Sequence, residues 1–184
     1  GDFAKLPMPR PSMFPLRKLL EEVGAVYWNL SGSVRIDCGE VPETLVVSAD
    51  RDQMKRVFAN LFTNAIQAMS KEGLLSVRAD VVRKSQKGYC RIAVSDTGAG
   101  IPESDMDSIF NPYFTTKGGG TGLGLAIVQR IIFDHGGNVW AESDGMRGTT
   151  IFIDLPIEGT HPPSAAPNPP GAPDPPSAAR GDEA

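Results

Sequence analysis

An α+β two-layer sandwich, a mixed sheet covered on one face by helices, is the fold class this sequence predicts. Three observations lead there. Short runs rich in β-formers occur in adjacent groups, two long runs of helical period separate those groups, and no strict βαβ alternation links them. A chain of 184 residues has room for one ordinary domain with a real core.

Residues 1–14, with Pro7, Pro9 and Pro11, read as an extended lead-in, and the folded domain is expected over 15–156. Pro15 suits the first position of a short helix carrying Leu16, Leu19, Leu20 and Val23 on one face. Val26–Leu30, Val34–Cys38 and Thr44–Ser48 then read as strands set off by glycine and proline. Asp50 and Gln53 fit a capping box. Behind it, Met54, Val57, Phe58, Leu61, Phe62, Ala65, Ile66 and Met69 give one long helix a core-facing stripe. Leu74–Val82 and Tyr89–Ser95 pair as a hairpin through residues 84–88, and a loop-rich stretch fills Asp96–Thr121. Helical period returns over Gly122–His135 and stops at Gly136-Gly137. Val139–Glu142 and Thr149–Leu155 are the closing strands. Residues 157–184 hold eight of the 16 prolines and no aromatic residue, so they read as a disordered tail, with a proline-rich docking ligand as the alternative.

Composition narrows the functions. Eighteen basic against 22 acidic residues give a net charge of −4, which lacks the basic footprint of a nucleic-acid binder. No apolar run approaches the ~18 residues of a bilayer span and no signal segment opens the chain, so a soluble, cytoplasmic chain without membrane contact is expected. Cys38 and Cys90 show no metal-ligand pattern and read as structural thiols of a reducing compartment. The chain opens on Gly1 and reads as cut from a longer protein.

Eleven of the 20 glycines fall between Gly98 and Gly148 and mark where backbone shape matters. Asp96-Thr97-Gly98-Ala99-Gly100 follows a strand, where a carboxylate can accept from an amino group while bare backbone closes on a flat ring; an ordinary Asp/Gly turn reads the same way. Gly118-Gly119-Gly120-Thr121-Gly122-Leu123-Gly124-Leu125 runs straight into a helix, as a phosphate cradle on a helix N-terminus does. It lacks the P-loop spacing, and a flexible linker is the alternative. Asn60 and Asn64 share one helix face a turn apart, and an amide oxygen suits Mg²⁺; a half-exposed asparagine pair is the plain alternative. The stretch Ile101–Thr121 carries Phe110, Tyr113, Phe114, Thr115, Thr116 and Lys117 and ends in a glycine hinge. It reads as a lid from which Lys117 reaches a terminal phosphate, although its aromatics also suit plain packing.

Order and combination are more specific than any one element. Asn60-Leu61-Phe62-Thr63-Asn64-Ala65, Asp96-Thr97-Gly98-Ala99-Gly100-Ile101-Pro102, Phe110-Asn111-Pro112-Tyr113-Phe114-Thr115-Thr116-Lys117 and Gly120-Thr121-Gly122-Leu123-Gly124-Leu125 resemble the N, G1, F and G2 boxes of sensor histidine kinases. Gly148-Thr149-Thr150 resembles the last box. Together they resemble the catalytic, ATP-binding domain of the GHKL (Bergerat-fold) superfamily over roughly 16–156. The forms Asn-Ala-Ile-Gln-Ala-Met and Phe-Thr-Thr-Lys look most like its nitrogen-regulation (NtrB/NtrY) branch, and the lead-in is similar to the end of that branch's dimerisation helices.

The resemblance implies ATP and Mg²⁺ as ligands. It implies Asn64 as metal ligand with Asn60 orienting water or phosphate, Asp96 accepting the adenine amino group, Gly98, Gly100 and Ile101 against the ring, and Thr149 supporting it. It further implies Thr116, Lys117, Gly120, Thr121, Gly122, Gly124 and Leu125 around the phosphates, with Leu123 beneath the lid. Gln67 stands where many members carry a basic residue. The implied partners are a histidine on an upstream dimerisation domain and, through the full-length protein, a response regulator. Neither His135 nor His161 has the acidic neighbour that such an acceptor histidine normally has, so this chain reads as a phosphate donor without its acceptor. ATP-hydrolysing clamps of the same superfamily carry a glutamate where Asn60 stands, and an amide cannot serve as that general base. A non-catalytic nucleotide-sensing module is the third possibility.

Overall fold

The computed structural model describes residues 6–27, 32–70, 72–116, 118 and 120–157. The start of the lead-in, Lys117, His161 and the proline-rich tail after Ile157 lie outside the described residues.

The chain runs β1 (Ser12–Pro15), α1 (Leu16–Tyr27), β2 (Ser33–Glu40), β3 (Val46–Ala49), α2 (Arg51–Ala68), β4 (Glu72–Lys84), β5 (Lys87–Asp96), α3 (Glu103–Met106), α4 (Gly124–Asp134), β6 (Asn138–Ser143) and β7 (Thr149–Pro156). Five strands form one mixed sheet in the order β2-β4-β5-β7-β6, with β2 parallel to β4 and every other pair antiparallel. β1 and β3 make a separate antiparallel ribbon. Alternation along β4, β5 and β7 sends Leu75, Val77, Ile92, Val94, Ile151 and Ile153 to the helix side. There they meet one core with Met54, Phe58, Leu61 and Phe62 of α2 and Val128, Ile131 and Ile132 of α4. The expected α+β sandwich is what forms.

The opposite face of the sheet carries its own cluster. Trp140 stacks on Phe152 with centroids 5.2 Å apart, and Lys84 and Arg91 lie 5.1 and 4.9 Å from the Trp140 centroid. Beneath them Asp154, 1% exposed, accepts two hydrogen bonds from Arg91 at 2.8 and 2.9 Å and one from Lys84 at 2.6 Å. Burial alone pushes the Asp154 carboxyl up, but these charged donors outweigh it and hold its pKa below the usual carboxylate value.

Several local expectations need correction. Pro15 ends β1 opposite Val46, and the helix starts at Leu16, whose N–H donates to Leu45 O. Val26 and Tyr27 are helical, not the start of a strand, and the rest of that expected strand lies outside the described residues. Their β propensity yields to tertiary contacts: Tyr27 Oη donates to Ala59 O at 3.0 Å, lies 2.9 Å from Thr63 Oγ1, and its ring meets Phe62 edge-on. Asp50 does cap α2, accepting from Asp52 N and Gln53 N, but the box is not reciprocal. Gln53 instead donates to Pro7 O, and the Asp50 N–H goes to His135 Nε2 at 3.0 Å. The β4–β5 hairpin turns on Ser85 and Gln86 alone, both with positive φ. Helix α4 begins at Gly124 and stops as expected: Gly136 N donates to Phe133 O and Gly137 N to Ile132 O. Burial raises the free thiols, Cys38 to about 11 and Cys90 to about 12, so both are protonated at neutral pH.

Candidate functional site

One cavity of about 320 Å³ opens between α2, the adjacent ends of β5 and β7, residues 100–122 and the first turn of α4. Its depth is apolar, lined by Leu61, Ala65, Val94, Ile109 and Ile151. Asp96 and Thr149 stand at this end on the same rung of the β5–β7 ladder, so backbone pairing fixes their spacing. Asp96 Oδ1 also accepts Gly98 N–H at 2.8 Å, which orients the carboxylate.

Around the mouth lie Asn64, Gln67, Thr116, Gly120, Thr121, Gly122, Gly124 and Leu125. The N-cap residue of α4, Leu123, makes no side-chain cap bond, and the first turn of the helix, with Gly124 and Leu125, borders the cavity. A Cβ on Gly124 would stand 3.8 Å from both Asn60 Oδ1 and Asn64 Nδ2, which brings the two asparagines and the glycine-rich turn together. Asn60 Nδ2 is buried without a hydrogen-bond partner among the described residues, a costly state that a ligand oxygen would relieve.

Not every expected residue lines this space. Gly100, Ile101, Asp96, Thr149, Asn64, Gln67, Thr116 and the Gly120–Leu125 residues do, except Leu123, which packs half-buried against the core. Asn60 stands behind the lining, and Lys117 lies outside the described residues. Gly98 faces away: a Cβ there would come within 2.7 Å of Ala68 C and O, so this glycine seats the loop on the end of α2, where Ala99 N donates to Ala68 O. Gly122 has φ +65°, and a Cβ on it would lie 2.5 Å from Tyr113 C and 2.7 Å from Phe114 O. The glycine turn thus carries the lid base, with Tyr113 N donating to Gly122 O at 2.9 Å.

Asp105 and Ile109 in the lining were not singled out from the sequence, and Thr63 and Pro102 entered only as members of their motifs. The sequence reading also missed Ser143, whose hydroxyl braces the base of the loop from across the sheet end. Ile109, 6% exposed, had an apolar signal hidden in a stretch without period. Ser143 had none, because Ile101, whose N–H it holds, lies 42 positions away along the chain. Of the lid aromatics, Phe114 lines the cavity, Phe110 packs on the core and Tyr113 is exposed. His135 is buried and both ring nitrogens are engaged, Nε2 accepting from Asp50 N and Nδ1 donating to Ile131 O. It is a structural histidine.

Comparison with known proteins gives a consistent set. The pattern of the histidine kinase-, DNA gyrase B-, and HSP90-like ATPase family matches residues 49–159. The chain is 41% identical over 118 residues to the sensor histidine kinase ZraS of Klebsiella oxytoca, covering 64% of this chain and 25% of that one. It is 38% identical over 148 residues to the sensor protein FixL of Bradyrhizobium diazoefficiens, covering 77% and 28%. The chain thus spans about a quarter of the length of these relatives. Among solved structures, the catalytic domain of histidine kinase ThkA superposes with TM-score 0.68 at 32% identity, over 80% of this chain and 96% of that one. ThkA in complex with response regulator protein TrrA also gives 0.68, at 28% identity over 85% and 45%.

Proposed function

Since the chain belongs to the family of histidine kinase-, DNA gyrase B- and HSP90-like ATPases, we propose that it is the catalytic domain of a sensor histidine kinase, binding Mg-ATP and donating the γ-phosphate to a histidine on its own dimerisation domain. The observation that carries this reading is Asn60. Its amide nitrogen is buried and has no hydrogen-bond partner among the described residues, one turn before Asn64, at the position where ATP-hydrolysing clamps hold a glutamate. An amide donates to a phosphate or a metal-bound water but cannot take a proton from water, so this chain has no general base there. What its residues can do is bind, orient and neutralise, which is most of what phosphoryl transfer asks of a protein.

Each residue then has a task. Asp96 and Thr149 receive the base on their shared rung, with Gly100 and Ile101 along the ring. The turn Gly120–Gly124 and the first N–H groups of α4 hold the phosphates, with Thr116, Thr121 and Gln67 beside them. Asn64 offers Mg²⁺ a neutral oxygen, which suits a cation that keeps several waters and phosphate oxygens in its shell. When bound, Mg²⁺ supplies charge neutralisation on the phosphates. Lys117 meets the terminal phosphate from the lid. The upstream dimerisation domain is the acceptor, and the full-length protein passes the phosphate to a response regulator, the class of partner seen with ThkA. Placement in the nitrogen-regulation branch rests on the motif forms around Asn64 and Thr116.

The test is transfer in trans. Incubated with labelled Mg-ATP and the dimerisation domain of its parent protein, the chain labels that domain on histidine; alone, it stays unlabelled. Steady release of inorganic phosphate by the chain alone, with no label on the dimerisation domain, would refute the kinase reading in favour of a clamp ATPase.

A further inference from the structure

Helices α2 and α4 run antiparallel and meet at both ends. At one end a Cβ on Gly124, the first residue of α4, would stand 3.8 Å from Asn60 Oδ1 and Asn64 Nδ2. At the other end the buried His135 caps α4 and lies against the cap of α2. Its Nε2 accepts from Asp50 N at 3.0 Å, and its Nδ1 donates to Ile131 O at 2.8 Å. A backbone N–H can only donate and a backbone carbonyl can only accept, so these two bonds fix one neutral tautomer.

Both sides of this joint are anchored. Asp50 Oδ1 accepts Asp52 N and Gln53 N in the first turn of α2, and its Oδ2 accepts Arg10 N at 2.8 Å. Gln53, itself buried, donates to Pro7 O at 2.9 Å. On the α4 side the His135 N–H donates to Ile131 O and Ile132 O, so the ring belongs to the last turn of the helix. Between the two ends, Phe58 and Leu61 of α2 and Val128 and Ile131 of α4 join one apolar core. Apolar packing is non-directional, so it holds two helices together without fixing how far one slides along the other. A slip of one residue moves a helix by about 1.5 Å, which a hydrogen bond of ordinary length does not survive.

We propose that His135 is a positioning residue for the phosphates: by pinning the end of α4 to the cap of α2, it holds the other end of α4, with Gly124, opposite Asn60 and Asn64. This rests on the cavity holding Mg-ATP with its phosphates between those elements. The base end of the cavity does not depend on the pin, because Asp96 and Thr149 are register partners within the sheet. Loosening the pin therefore costs affinity that comes from the phosphates and spares affinity that comes from the base. A general loss of structure does not separate the two. A misplacement of about 1 Å in a site of this kind can cost on the order of a hundredfold in rate, so a small slip suffices.

The experiment measures affinity of the chain for Mg-ATP and for adenosine in wild type, His135→Leu, His135→Gln and Asp154→Asn. Leucine fills the space and makes neither bond. Glutamine carries an acceptor and a donor on either side of one carbon, as the imidazole does, and can remake both. His135→Leu is expected to weaken Mg-ATP about tenfold and leave adenosine unchanged, and His135→Gln to recover most of that loss. Asp154→Asn gives up charged hydrogen bonds on the far face of the sheet and keeps wild-type affinity for both ligands. His135→Asn, which is too short to hold both Ile131 O and Asp50 N, takes the place of His135→Leu if that variant does not fold. Wild-type Mg-ATP affinity in the folded variant, or equal losses of Mg-ATP and adenosine, would overturn the role of His135. So would a His135→Gln no better than His135→Leu, or an Asp154→Asn that weakens Mg-ATP as much. A wild type that binds Mg-ATP no better than adenosine would instead overturn the nucleotide reading beneath it.

Discussion

Gly122→Ala tests whether the glycine turn holds the lid base by shape. At φ +65° an alanine pays about 1–2 kcal/mol for the left-handed conformation alone. Its Cβ would also sit 2.5 Å from Tyr113 C and 2.7 Å from Phe114 O, which are backbone atoms that cannot rotate away. The chain can keep the turn and bear the overlap, or push Tyr113–Phe114 outward. The second route gives up the Tyr113 N to Gly122 O bond and withdraws Phe114 from the cavity. That bond is worth about 1 kcal/mol, so the cheaper outcome still costs about 2–3 kcal/mol in all. For a domain of this size, that is a fall of about 5–10 °C in melting temperature. ATP affinity should fall about tenfold or more, since the same turn lines the cavity proposed for the nucleotide. Gly118→Ala is the control: among the described residues no atom beyond its chain neighbours lies within 4 Å of the added Cβ, and neither quantity should change. Thermal melting and isothermal titration of both variants check this. Wild-type melting and affinity in Gly122→Ala would refute the reasoning.

Three further outcomes are expected. Asn64→Ala should weaken Mg²⁺-dependent ATP binding at least about tenfold while leaving the melting curve of the ligand-free chain near wild type; titration with and without Mg²⁺ decides it. Asp154→Asn should cost about 2 kcal/mol at pH 7 by urea unfolding, since Arg91 and Lys84 lose their charged acceptor. Because the folded-state pKa of Asp154 lies below its unfolded value, its contribution is complete above the ordinary carboxylate range and is lost as pH falls through the lowered value. The wild type should therefore lose more stability than Asp154→Asn between neutral pH and that range's lower edge. His135 should carry no phosphate after prolonged incubation with labelled ATP, because neither ring nitrogen is free; acid-labile label mapped to His135 would contradict the assigned hydrogen bonds.

What the sequence made legible was whatever chain-local pattern encodes. The stripe from Met54 to Ala65 specified α2 and its buried face, and Gly136-Gly137 specified the stop of α4. The motifs around Asn64, Asp96 and Gly122 were found by type and spacing, and the fold brings them to one cavity. Where the reading missed, the deciding partner lay far along the chain. Val26 and Tyr27 look like strand until α2 supplies Ala59 O and Thr63 to the Tyr27 hydroxyl. Gln53 looked like half of a capping box because nothing local reveals that His135 takes the Asp50 N–H. Gly98 looked like part of the ring contact, yet its missing Cβ makes room for the end of α2.

The shared rung of Asp96 and Thr149 has a consequence for how this protein can diversify. Everything from Thr97 to Gly137, the loop around Gly118 and helix α4 included, is an excursion that leaves the sheet at the end of β5 and rejoins it at β6, the strand beside β7. The ladder closes the ends of that excursion whatever its contents. Closure entropy grows only as the logarithm of length, so even doubling a loop costs about 0.6 kcal/mol. Insertions and deletions at exposed Gly118 therefore leave the spacing of the Asp96 and Thr149 side chains untouched. Loop length at that point is an evolutionary free variable here, and a peptide grafted there would leave the Asp96–Thr149 rung in place.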